Sequence, residues 1–66
     1  MMGKYRKFYA TLPLKELRRR QSINAHQTVE AYRLAQKPYT QDRGYRALVR
    51  LQRDALLLAD TVWYRL

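Results

Sequence analysis

Sixty-six residues carry fourteen Lys/Arg against five Asp/Glu, a formal net charge of +9, with one histidine and no cysteine. A chain this short buries only about 60% of its unfolded surface, so its own core is marginal and calls for a staple. Without cysteine there are no disulfides or thiolate metal sites, and His26 with a few scattered acids makes a poor metal site, which leaves self-association.

No apolar run approaches the ~20 residues of a membrane span; the longest is ALLLA, residues 55–59. Nothing resembles a secretory signal, and Met2–Gly3 lacks the Ser/Thr of a myristoylation motif. The expectation is a cytoplasmic protein without integral membrane association. Its charge is lopsided. Residues 1–20 hold seven Lys/Arg against Glu16, and residues 21–66 hold seven against Glu30, Asp42, Asp54 and Asp60. Such an excess predicts attraction to polyanions and says nothing about the fold.

Residues 1–12 read as an N-terminal basic and aromatic arm. KYRKFY, residues 4–9, alternates loosely and shows no helical period, so a short strand and a flexible segment both fit. Thr11 or Leu12 then takes the N-cap position, and Pro13 fits a first helical turn, where its missing N–H costs nothing.

Residues 13–66 predict a helical hairpin. From Pro13 to about Gln36 nothing breaks a helix, and Leu14, Leu17, Gln21, Ala25, Thr28, Val29, Tyr32 and Ala35 fall within roughly 120° as one buried stripe. Ile23 and Leu34 sit off that stripe on a common flank. Residues 37–40 are the turn: Pro38 stops the first helix, Thr40 is placed to cap the second, and Asp42 suits its first turn. Gly44 lowers helix propensity but is tolerable near an end.

From Gln41 to about Arg65 the apolar residues Tyr45, Leu48, Val49, Leu51, Ala55, Leu56, Leu58, Ala59, Val62, Trp63 and Leu66 cover roughly 180°. One antiparallel neighbour cannot cover that arc. The fold class is therefore all-α, an antiparallel two-helix hairpin that dimerises into a four-helix bundle. Tyr45, Leu48, Val49, Leu56, Ala59, Val62 and Trp63 are the candidate dimer interface. Trp63 reads as core rather than as a membrane anchor.

Three basic features are candidates for polyanion contact, each with a plainer alternative. Lys4, Arg6 and Lys7 suit phosphates while the arm's aromatics stack on bases; alternatively those aromatics pack over the bundle mouth. Arg18, Arg19 and Arg20 lie near a helix N-terminus, where cations are mildly unfavourable, which hints at an outside anion or a partner's carboxylates. Arg43, Arg46, Arg50 and Arg53 occupy an arc of about 80° opposite the apolar face, a row that suits phosphate oxygens, unless it is simply a solvated face partly neutralised by Asp42 and Asp54. His26 reads as a surface histidine.

Nothing points to catalysis, a cofactor or a small-molecule substrate: no phosphate-binding glycine loop, no paired acids and no nucleophile–base pair. The leading expectation is a small, basic, non-enzymatic homodimer that binds nucleic acid with low sequence selectivity. The alternative is an adaptor or assembly subunit whose basic faces meet an acidic protein, favoured by Ile23, Leu34 and Leu57 lying off the main stripes.

Overall fold

In a computed structural model, residues 2–66 are described, with side chains from Arg6 onward. Regular structure among them is all helical: α1 (Met2–Ala10), α2 (Leu14–Ala35) and α3 (Gln41–Arg65). The two long helices pack antiparallel, and α1 folds back onto α3.

The arm is thus a helix, which corrects the expected strand or flexible segment. What holds it is not visible within residues 2–10. Tyr9 is buried against Leu17, Leu57 and Leu58, with Leu12 and Val62 packed beside them. The guanidinium of Arg20 lies 5.3 Å from the Phe8 ring centroid and 5.9 Å from that of Tyr9, a cation–π contact at each ring. Arg6 pairs with Asp60 at 3.1 Å, and Arg65 donates to the Ala10 carbonyl.

Helix ends also differ from the expected caps. Thr11 closes α1 instead of opening α2: its hydroxyl donates to the Phe8 carbonyl at 2.6 Å, and its backbone N–H reaches the same oxygen at 3.1 Å. Pro13 itself is the N-cap of α2, extended at φ −66° and ψ 155° and without a side-chain cap. Thr40 stands at the N-cap of α3, but its hydroxyl donates back to the Leu34 carbonyl at 2.7 Å, which ties the turn to the end of α2.

The stripe expected on α2 is rotated. Leu17, Ala31 and Ala35 are buried, whereas Ala25, Val29 and Tyr32 are exposed. Small residues explain the difference, because they let the helix axes approach. A Cβ at Gly44 would lie 2.3 Å from the Ala35 nitrogen and 2.8 Å from the Ala31 carbonyl oxygen. Further along, Asn24 donates from Nδ2 to the Leu51 carbonyl at 3.0 Å, a polar pin between α2 and α3.

On α3 the buried residues are Gly44, Leu51, Leu57, Leu58 and Thr61. Leu57, expected off the main stripe, is in the core because α1 covers it. Thr61 satisfies its hydroxyl on the Leu57 carbonyl at 2.7 Å. Trp63, expected inside, is 75% exposed in the single chain.

The result is a slab. Its Cα extents are 41 × 23 × 13 Å and its radius of gyration is 13.3 Å, against about 11 Å for a compact chain of this length. The solvent-accessible surface is 5578 Å², where a compact 8.0 kDa monomer would expose about 4,450 Å². A layer one helix thick cannot shelter an apolar face on both sides.

Candidate functional site

Helical spacing gives the α2–α3 layer two unlike faces. On α3, positions 43, 46 and 50 point to one face and positions 45, 56, 59 and 63 to the other, while 49 and 53, about 40° apart, stand on the edge between them that points away from α2. The first face carries the arginines. Arg43, Arg46 and Arg50 line a shallow concavity of about 440 Å³ whose floor is Leu34 and Ala47. Over ten residues the row of four spans about 15 Å. All four side chains are exposed.

Ion pairing separates these arginines from most of the others. Glu16 holds two cations of the RRR run, Arg19 at 2.7 Å and Arg20 at 3.3 Å, and Glu30 holds Arg33 at 3.3 Å. The hydrogen bonds from Arg19 keep the Glu16 carboxyl below the ordinary carboxylate range, with the charges of Arg19 and Arg20 adding to the effect. Asp60 is taken by Arg6. Among the described residues, no ion pair involves Arg43, Arg46, Arg50 or Arg53, although Asp42 and Asp54 share their helix.

The structure therefore sorts the ten candidate cations. The row on α3 stands together and without an acidic partner among the described residues. Arg6, Arg19 and Arg20 are engaged within the chain, Arg6 and Arg20 to hold α1. Lys7 is exposed on α1. Arg18 falls on the opposite face, since it shares the α2 side of Ala25, Val29 and Tyr32 at spacings of seven, four and three. Lys4 lies outside the described side chains.

That opposite face is apolar. Val29 and Tyr32 on α2 are 53% and 59% exposed, and Tyr45, Val49, Leu56 and Trp63 on α3 are between 52% and 75% exposed. The antiparallel register, set by the Asn24–Leu51 pin and the Gly44–Ala35 contact, brings Tyr32 level with Tyr45 and Val29 level with Val49 along the helix axes. Of the candidate interface residues, Tyr45, Val49, Leu56, Ala59 and Trp63 are on this surface, while Leu48 and Val62 are already half-buried within the chain. Ala25, Val29 and Tyr32 join them, although spacing alone assigned these three to the hairpin interior. The signal for their true side was Ala31 with Ala35, small residues at the position of closest helix approach.

Neither face has the makings of a metal centre: no group of three His, Cys, Asp or Glu side chains comes together among the described residues. His26 is on the surface with Nδ1 2.9 Å from the Ser22 carbonyl oxygen. No helix is long and apolar enough to cross a membrane among the described residues. Comparison with protein-family models, curated proteins and solved structures finds no match for this chain.

Proposed function

We propose that the protein is a non-enzymatic homodimer that binds nucleic acid through the arginine row of α3, with little sequence selectivity. One observation carries the binding reading: Arg43, Arg46, Arg50 and Arg53 are exposed in a row and, among the described residues, in no ion pair, while Glu16, Glu30 and Asp60 are held by other cations and Asp42 and Asp54 by none. Four guanidinium forks along about 15 Å of helix offer planar, bidentate donors to successive phosphates. A helix face of this kind reads backbone charge rather than base edges, so affinity comes from counterion release.

The dimer is supported by the other face. Two chains of net charge +9 repel unless they meet through a charge-poor surface. The band through Val29, Tyr32, Tyr45, Val49, Leu56 and Trp63 is such a surface, with Arg18 as the charge within it. The accessible area in excess of a compact monomer, about 1,100 Å², exceeds the roughly 800 Å² per partner of a standard interface.

The test is a salt titration of binding to short duplex DNA and to single-stranded RNA, followed by fluorescence anisotropy. Binding at about 0.15 M salt with a log–log slope of about 3–4 per chain is expected. The quadruple variant R43Q/R46Q/R50Q/R53Q should flatten that slope. Absence of binding to either nucleic acid would overturn the reading and direct the search to an acidic protein, by pull-down.

A further inference from the structure

Resting on that reading, we infer that the dimer bridges two nucleic-acid segments rather than gripping one, because the arginine row and the apolar band occupy opposite faces of the same one-helix-thick layer.

The argument begins with the angular order of residues on α3. Residues Leu51 and Leu58 mark the direction of α2, and both are buried. Turning one way at about 100° per residue leads to Tyr45, Leu56 and Trp63; turning the other way leads to Arg43, Arg46 and Arg50, and Val49 and Arg53 stand between them on the edge away from α2. The same division holds on α2. Leu34 shares a concavity with Arg43, Arg46 and Arg50, and Ile23 shares one with Arg20 and Asp54. Tyr32 falls on the far side with Ala25, and Val29 stands toward the outer edge of α2, where it also borders a concavity with Leu34, Ala47 and Arg50. Helix α1 confirms which side is which for the core: it docks on the arginine side, over Leu57 and Thr61, and leaves the apolar band bare.

When two copies meet through the apolar band, each arginine face must point outward. This holds whether the second copy runs parallel or antiparallel to the first, since either arrangement stacks layer on layer. Helices with side chains are about 10–12 Å across, so the two rows lie on opposite sides of a body about 20–24 Å thick. The bundle itself fills the space between them. A single strand or duplex cannot touch both rows at once without bending around that body, and four arginines a side give it little reason to bend. Two separate segments can each occupy one row. Outward rows also keep the two cationic faces as far apart as the dimer allows, so the arrangement that brings the apolar bands together is the one that relieves repulsion.

The chemistry of the partner follows from the same surface. Each row offers guanidinium groups to phosphodiester oxygens, and nothing in it selects bases. The bridge is therefore expected between two segments of any sequence, at low to moderate salt.

The experiment uses the full chain and two duplexes, one biotinylated on beads and one fluorescent. Anisotropy of the fluorescent duplex alone first reports binding. Protein is then added to the beads, and fluorescence retained on them is read across protein concentrations below duplex saturation. Retention that requires protein is expected. A normal anisotropy change with no retention overturns bridging and leaves the binding reading intact. No anisotropy change overturns both.

Aggregation is separated from bridging by mixing. Equal amounts of the wild-type chain and R43Q/R46Q/R50Q/R53Q, allowed to exchange subunits, leave about one quarter of dimers with two rows and about three quarters with at least one. Retention should then fall about fourfold while single-duplex binding, which follows the number of rows, falls about twofold. Retention that falls in step with binding would overturn the two-faced bridge. The variant changes only exposed side chains, so its helicity and dimerisation are checked by circular dichroism and sedimentation, and Y45E, which has no arginine of the row three or four residues away, provides an independent way of separating the copies. A monomeric, helical Y45E that still retains the second duplex as the wild type does would also overturn the inference.

Discussion

At the scale of single residues, Gly44 and Glu16 show how context reverses or decides an intrinsic tendency. In an exposed helix, Gly→Ala stabilises by about 1 kcal/mol. At Gly44 the added Cβ would meet backbone atoms of Ala35 and Ala31 at 2.3–2.8 Å, and backbone cannot move aside as a side chain would. Gly44→Ala should therefore lower stability by about 1–3 kcal/mol in urea unfolding; a stabilised variant would contradict the close helix crossing. Glu16 is the acid that holds Arg19 and Arg20. Its carboxyl titrates below the ordinary glutamate value in the folded chain, so its contribution is present above that ordinary value and is lost as pH falls through the lowered one. The effect is small because the pair is exposed to solvent. Thermal scans below about pH 4.5 should show a shallower acid loss for Glu16→Gln than for the wild type. Identical acid slopes would remove Glu16 from the account.

At the scale of elements, α1 is the part that local sequence conceals. Tyr5, Phe8, Tyr9 and Leu12 recur at i, i+3, i+4 and i+7, a helical spacing that the strand-like alternation of KYRKFY masks, and one of them, Tyr9, closes a core with Leu17, Leu57 and Leu58. A helix of nine residues is too short to persist alone in water, so its formation depends on that docking. Leu56 and Leu57 make the test, since they are adjacent in sequence but 63% and 4% exposed. Leu57→Ala should cost about 2–5 kcal/mol and expose α1 to proteolysis. Leu56→Ala should stay within about 0.5 kcal/mol in dilute protein. Equal losses would mean that α1 does not cover α3. The long helices were legible because their apolar periods are long and uninterrupted between Pro13, Pro38 and the C-terminus. The rotation of α2 was not legible, because Val29 and Tyr32 outweigh Ala31 and Ala35 in any hydrophobic count although only the small pair fits the crossing.

At the scale of the molecule, a slab 13 Å thick in its Cα atoms leaves half of α3's apolar arc uncovered. A second copy that binds only folded chain stabilises by mass action. The melting temperature should accordingly rise with protein concentration over about a hundredfold range, and Y45E should abolish that rise. A wild-type melting temperature independent of concentration, with sedimentation as an 8.0 kDa species, would overturn the dimer and with it the bridge.

The residues alone determined two long helices split at Pro38, a cationic excess of +9, and more apolar surface on α3 than one neighbour covers. Those properties follow from periodicity, backbone chemistry and charge, which act locally or add up along the chain. Tertiary structure decided the rest: that residues 2–10 are helix, that Arg6, Arg19 and Arg20 are tied to carboxylates, that Ala25, Val29 and Tyr32 lie outside, and that the arginine row and the apolar band face opposite ways. Each of these depends on which side of a helix meets its neighbour. That choice is made by the closest contact, Gly44 against Ala31 and Ala35, and by the seat that Leu57 and Leu58 provide for Tyr9.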